Sequence, residues 1–163
     1  MADGSKPLPG ALRWNLGDLT VTALNDGWFQ ASLDLVTGIS KAEAGRLQLA
    51  GFRTEQPKIT LNAFLITGPG LKPTLIDTGY GDLAPAPTLG RAGAALGLTG
   101  IEPEEIGTVL VSHLHPDHVG GLVKDGAARY PNAEIVLHAD EAAHWLPDEA
   151  LAKAPDAAKP YVE

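Results

Sequence analysis

An α/β fold, a sheet covered by helices, is the class this sequence predicts. Three observations carry the prediction. The early stretches "LTVTAL" and "KITLNAFLIT" alternate apolar and polar residues, the period of a half-buried strand. Later, strand-like and helix-like patterns take turns along the chain, which places helices over a sheet. Val109, Leu110 and Val111 form an unbroken apolar run, as in a strand buried on both faces.

The elements follow in order. Residues 1–17 read as an extended N-terminal arm. "GDLTVTALNDGWF" reads as a strand that reaches Asn25-Asp26-Gly27, and Asp-Gly there favours a hairpin turn. "SKAEAGRLQLA" reads as a helix over 40–50, with Ser40 and Glu43 spaced as a capping box and Gly51 as its stop. "KITLNAFLIT" is the next strand, "GPGLKP" a turn, and "TLID" a third strand that ends in "DTGYGD". Thr88 to Leu98 reads as a helix weakened by its glycines. The strand at 109–111 follows, then "SHLHPDHVGGL", then the strand "AEIVLH". "ADEAAHWLPDEALAKAP" is helical, broken or kinked at Pro147.

Bulk properties narrow the function. The chain has 163 residues, one domain's worth, and a net charge of −8. An acidic surface repels phosphate backbones and argues against nucleic acid as a partner. With no cysteine, thiolate metal sites, disulfides and cysteine nucleophiles are excluded. No apolar stretch is long enough to cross a bilayer, and "MADGSKPLPGALRW" lacks the pattern of a signal peptide, so a cytoplasmic address is the default expectation.

The segment Ser112 to Leu122 holds three of the five histidines. Residues two apart in an extended chain point the same way, so His113 and His115 can approach one ion from one side. Pro116 bends the chain before Asp117 can share that side, and His118 starts the next turn. The four side chains can thus divide between two neighbouring ions. Imidazole nitrogen and carboxylate oxygen are suitable ligands for zinc and related divalent metals. Gly120 and Gly121 leave room for backbone beside the site. The competing reading is a polar surface loop whose histidines are satisfied locally. The spacing differs from His-Glu-x-x-His on a helix, which would indicate a different class of zinc protease.

These residues resemble the signature of the metallo-β-lactamase superfamily of metallohydrolases. Asn62 in "LNAFLI", then "LIDTGYG", "IGTVLVSHLHPDHVGG" and "YPNAEIVLHADEAAHW" match in order, over about Leu19 to Trp145. "TVTALNDGW" and "AAHWL" place the resemblance nearest the branch of methyl parathion hydrolase-like enzymes and acyl-homoserine lactonases. The resemblance implies an αββα sandwich. It implies that His113 and His115 hold a first metal and that Asp117 and His118 hold a second. Zinc is the first expectation, with manganese, iron or cobalt as alternatives. Asp77 would be a buried carboxylate that orients the ligands, or else a strand-end turn former. Trp145 would line the leaving-group pocket, or else pack in the core. A hydroxide bridging the two ions would attack a lactone, ester or phosphotriester, and Asp117 would pass a proton to the leaving group.

The same resemblance leaves ligands unaccounted for. Complete members carry a third histidine for the first metal, a bridging aspartate and a last histidine for the second, all further along the chain. His138 does not occupy a ligand position, and His144 reads as a helical histidine bordering the pocket or solvent. The expectation is therefore a single half domain over 1–163, the N-terminal αβ half of the sandwich, paired with a second copy or with a missing C-terminal half. Two alternative functions stay open: a glyoxalase II-like thioester hydrolase, and a metal-binding or self-associating half domain without turnover.

Overall fold

The structure, a computed structural model, describes residues 10–147. Eight strands, four α-helices and four short 3-10 turns lie in this range. The strands are β1 (Ala11–Leu16), β2 (Leu19–Gln30), β3 (Lys58–Gly68), β4 (Leu71–Ile76), β5 (Thr108–Val111), β6 (Val123–Lys124), β7 (Ala127–Ala128) and β8 (Glu134–Leu137). The helices are α1 (Lys41–Ala50), α2 (Ala92–Gly97), α3 (Pro116–Val119) and α4 (Ala139–Trp145). Six strands form one sheet in the order β1-β2-β3-β4-β5-β8, and β6 pairs with β7 in a small separate ribbon. The sheet is antiparallel from β1 to β4 and parallel from β4 through β5 to β8. The α/β class expected from the sequence is the class observed.

Period-two alternation sorts the sheet's residues to two faces. Leu24, Ala63, Leu65, Leu75 and Val109 point to one side. They pack there with Ala92, Ala95 and Leu96 of α2, and with Ile106 and Tyr130. The opposite face carries a row that runs across all six strands: Leu12, Ala23, Phe64, Ile76, Leu110 and Val136 are successive register partners. Leu12, Leu110 and Val136 of this row are exposed. The run at 109–111 is therefore not buried on both faces. Val109 and Val111 are buried while Leu110 between them is exposed, because no described element covers that side of the sheet.

Two further expectations are corrected. Asn25-Asp26-Gly27 is not a hairpin turn. β2 continues through it to Gln30, and the register against β3 slips between Asn25 and Gly27 as a bulge. Burial explains the difference. Asp26 is completely buried, and its carboxylate accepts from Tyr80 N at 3.0 Å and Ala92 N at 2.8 Å. A turn residue would face water; this one ties β2 to two distant segments. The helix expected over 88–98 is confined to Ala92–Gly97, because Gly90 before it has a left-handed φ of 75°. Asp26 then supplies the helix's first amide with the acceptor that Arg91 at the N-cap does not.

The other elements follow their local chemistry. Ser40 caps α1 by accepting from Glu43 N, and Gly51 ends it. Glu43 itself pairs with Arg46 rather than completing the capping box. Of the expected N-terminal arm, residues 11–16 form the edge strand β1, and residues 1–9 lie outside the described residues. Likewise α4 spans the first part of the expected helix at "ADEAAHW", and the continuation past Pro147 lies outside the described residues. Among the described residues no helix is long and apolar enough to cross a membrane.

Candidate metal centre

The parallel strands β4 and β5 end side by side, with Ile76 in register with Leu110. This carboxyl end of the parallel strands is where α/β proteins place their chemistry. Asp77 leaves β4 and Ser112 leaves β5 at this end. Asp77 has a left-handed φ of 59°, which short polar side chains tolerate better than others. Its N–H donates to Leu110 O at 2.9 Å, so the turn is pinned to the neighbouring strand.

The Asp77 carboxylate gathers the loop that follows β5. Oδ1 accepts from Ser112 N at 2.8 Å, and Oδ2 accepts from Ser112 Oγ at 2.8 Å. Oδ2 also lies 2.7 Å from His118 Nδ1. A carboxylate accepts and does not donate, so His118 carries its proton on Nδ1. Ser112 Oγ spends its one proton on Asp77 and is an acceptor toward the rings. His113 Nδ1 stands 3.0 Å from that oxygen and therefore donates to it. Both rings are thereby set with the Nε2 lone pair free. The hydrogen bond at one ring nitrogen decides which nitrogen can take a metal.

The four side chains form one cluster. The rings of His113 and His115 meet edge to face, with centroids 4.5 Å apart. His118 Nε2 lies 3.3 Å from Asp117 Oδ2. The closest of these ring contacts runs between the two expected pairs, with the His113 and His118 centroids 3.9 Å apart. His113 is held below the ordinary imidazole range, first by burial and then by the neighbouring His118 and His115. A neutral ring is the form that binds metal. Among the described residues no three histidine or carboxylate side chains form a metal site. The donor set thus fits divalent cations in chemistry and, at His113 and His118, in tautomer, with no group of three donors for one ion among the described residues.

The backbone under the pairs is closely fitted. Thr78 N and Thr78 Oγ1 both donate to His118 O, at 2.8 and 2.9 Å. Gly121 N donates to Gly79 O at 2.9 Å. A Cβ on Gly120 would collide with the Tyr80 carbonyl, and one on Gly121 with the Thr78 carbonyl. The two glycines thus let the "DTGYG" and "HVGG" turns interlock.

Trp145 of α4 is half-buried, its ring 5.8 Å from that of His115 in an edge-on contact. It borders the first pair and lies outside the main core. His144 is exposed and packs only on Trp145 among ring contacts of the described residues. His138 caps α4, its Nδ1 accepting from Asp140 N at 3.2 Å. Asn62 hydrogen-bonds Asn25 across β2 and β3 at 3.1 Å.

Two residues at the site were not singled out in the sequence. Ser112 relays Asp77 to His113, and its adjacency to the first histidine was the available signal. Glu141 accepts from Leu114 N at 2.9 Å. It stands at the third position of α4, where a glutamate reads as a local helix cap, so nothing in the local pattern pointed across the fold.

Residues 60–161 match the profile of the metallo-beta-lactamase superfamily. The chain belongs to that superfamily. Among solved structures it is similar to a hydrolase, AbOPH, described as in the beta lactamase superfamily. That match has 33% identity and a TM-score of 0.84, and covers 96% of this chain and 54% of the other. It is similar also to AidC, described as a dizinc quorum-quenching lactonase in complex with a product. Here the identity is 25% and the TM-score 0.83, over 94% of this chain and 55% of that one. A probable metal-dependent hydrolase from Staphylococcus aureus shares the fold, at 24% identity and a TM-score of 0.67, over 86% of this chain and 54% of the other. No curated protein matches the chain. The chain spans about half the length of the solved structures it resembles.

Proposed function

We propose that this chain carries one half of a metal-dependent hydrolase site for lactones, esters or phosphotriesters. His113 and His115 would hold one divalent ion, Asp117 and His118 the other, with zinc the first expectation. The observation that supports this reading is the relay from Asp77 through Ser112, which leaves Nε2 free on both His113 and His118. When bound, such ions polarise the substrate oxygen and make water acidic enough to attack at neutral pH. The chain's own contribution is positional. Asp77 fixes two rings, Trp145 offers an apolar wall beside His115, and Asp117 would move a proton toward a leaving group. Lactone substrates are favoured by the likeness to AidC, which is described as a lactonase.

Each pair needs further donors, and the uncovered apolar row across the sheet needs a covering layer. Exposed apolar surface of this extent marks an interaction face. A second copy of the chain or a complementary half would meet both needs. The isolated chain is expected to bind metal weakly and to turn over little or nothing. The test is hydrolysis of an acyl-homoserine lactone and an aryl phosphotriester by the purified chain with zinc or manganese, alongside sedimentation. Robust turnover by a clean monomer would overturn the reading of an incomplete site. A clean monomer at micromolar concentration would overturn self-association.

A further inference from the structure

We propose that Glu141 is a positioning residue for the His113–His115 pair, holding their loop from the side opposite Asp77. The inference rests on the metal reading above and goes beyond the residues that reading uses. Leu114 lies between the two histidines, and its backbone N–H is the one whose acceptor comes from α4: Glu141 Oε2 at 2.9 Å. Asp77 anchors the loop one residue before His113 through Ser112. The two carboxylates therefore bracket the pair, one from the end of β4 and one from the first turn of α4. His115 is tied on its C-terminal side, where its carbonyl accepts from His118 N at 2.9 Å and Val119 N at 3.1 Å, and its ring meets those of His113 and Trp145. Glu141 adds a side-chain tie to the backbone between the two histidines, and small displacements of ligands weaken metal binding.

Charge and hydrogen bonding make different predictions here, and Glu141→Gln separates them. The glutamine keeps an oxygen that accepts from Leu114 N–H and removes the charge. Asp140→Ala is the charge-matched control, because Asp140 is exposed on the same turn and does not touch the loop. The experiment measures zinc affinity by competition with a chromophoric chelator, and amide hydrogen exchange at Leu114, in the wild-type chain and the three variants. Far-ultraviolet circular dichroism confirms folding. Glu141→Ala should lower zinc affinity about tenfold, the lower end for partners that orient metal ligands, and should speed Leu114 exchange. Glu141→Gln should restore both to within about twofold, and Asp140→Ala should change neither. If Glu141→Ala leaves zinc affinity unchanged while the wild type binds zinc, the positioning role is overturned and the metal reading stands. If Glu141→Gln and Asp140→Ala both weaken zinc as much as Glu141→Ala, the effect is one of charge and the proposal is overturned. If the folded wild type binds no zinc, the metal reading falls and this proposal with it.

Discussion

Asp77→Asn is the most discriminating change available at this site, because it alters the donor pattern and almost nothing else. The carboxylate accepts three hydrogen bonds, from Ser112 N, Ser112 Oγ and His118 Nδ1. The asparagine oxygen can still accept from Ser112 N. Its NH2 group, however, must then face Ser112 Oγ and His118 Nδ1, and it can only donate. His118 is driven to the other tautomer, with Nδ1 accepting and the proton on Nε2. The nitrogen that would take a metal under the proposed reading is then blocked, although the ring has not moved. Asparagine also tolerates the left-handed backbone at this position, so strain does not change. Stability should fall by only about 1 kcal/mol, since one charge-assisted set is traded for a neutral one. Zinc affinity should nevertheless fall on the order of 10–100-fold, or about 1.4–2.7 kcal/mol of binding. Asp77→Ala, by contrast, strands Ser112 N–H and leaves His118 Nδ1–H only Ser112 Oγ at 3.1 Å, and should cost about 1–3 kcal/mol in folding as well. The assays are urea unfolding, chelator competition for zinc, and the nitrogen-15 shifts of His118, which report the tautomer directly. A variant Asp77→Asn that binds zinc as the wild type does, with Nε2 still unprotonated, would refute the relay and the tautomer argument together.

Other outcomes follow from the same geometry. Asp26→Ala leaves the amides of Tyr80 and Ala92 without acceptors in a fully buried place, at about 1–3 kcal/mol each. Urea unfolding should show a loss of about 2–6 kcal/mol, and a loss under 1 would mean that water replaces the carboxylate. For His113 the folded chain resists protonation more than the unfolded chain does. The unfolded state therefore takes the proton first, and stability from this group falls as pH drops below about 6.5. The loss ends once pH passes the ring's own lower pKa. Proton NMR titration of His113 should give a midpoint below 6.5, and a midpoint at or above that value would refute the packing of the three rings. Leu110→Lys and Val136→Lys place charge on the uncovered row without touching the core. Sedimentation should show weaker association of both, and association equal to the wild type would place the contact elsewhere.

What could be read from the sequence was whatever depends on local period and spacing. The strand at 58–67 and the helix at 40–50 follow from alternation and a serine cap, and both are present; the strand read at 74–77 is also present, but it begins at Leu71, inside the stretch read as a turn, and ends at Ile76. The four clustered side chains His113, His115, Asp117 and His118 were legible because a strand end followed by proline leaves few other uses for imidazoles so spaced. Roles that depend on contacts between distant residues were not legible. Asp26 looked like a turn residue because Asp-Gly is a turn dipeptide. It is a buried acceptor because α2 and the Gly79–Tyr80 turn, more than fifty residues away, bring their amides to it. Leu110 looked like core for a complementary reason. An apolar run records the burial a sequence is built for, whereas exposure records the burial the described residues supply. The mismatch at Leu110 and Val136 is thus physical information in itself. A solitary soluble sheet would be expected to carry polar residues there, alternating with its core. Apolar residues in register across all six strands are costly to leave in water, at roughly 25 cal/mol for each Å² of apolar surface. Among the described residues this face has no covering layer and the proposed metal centre is short of donors, so one covering element would correct both deficits.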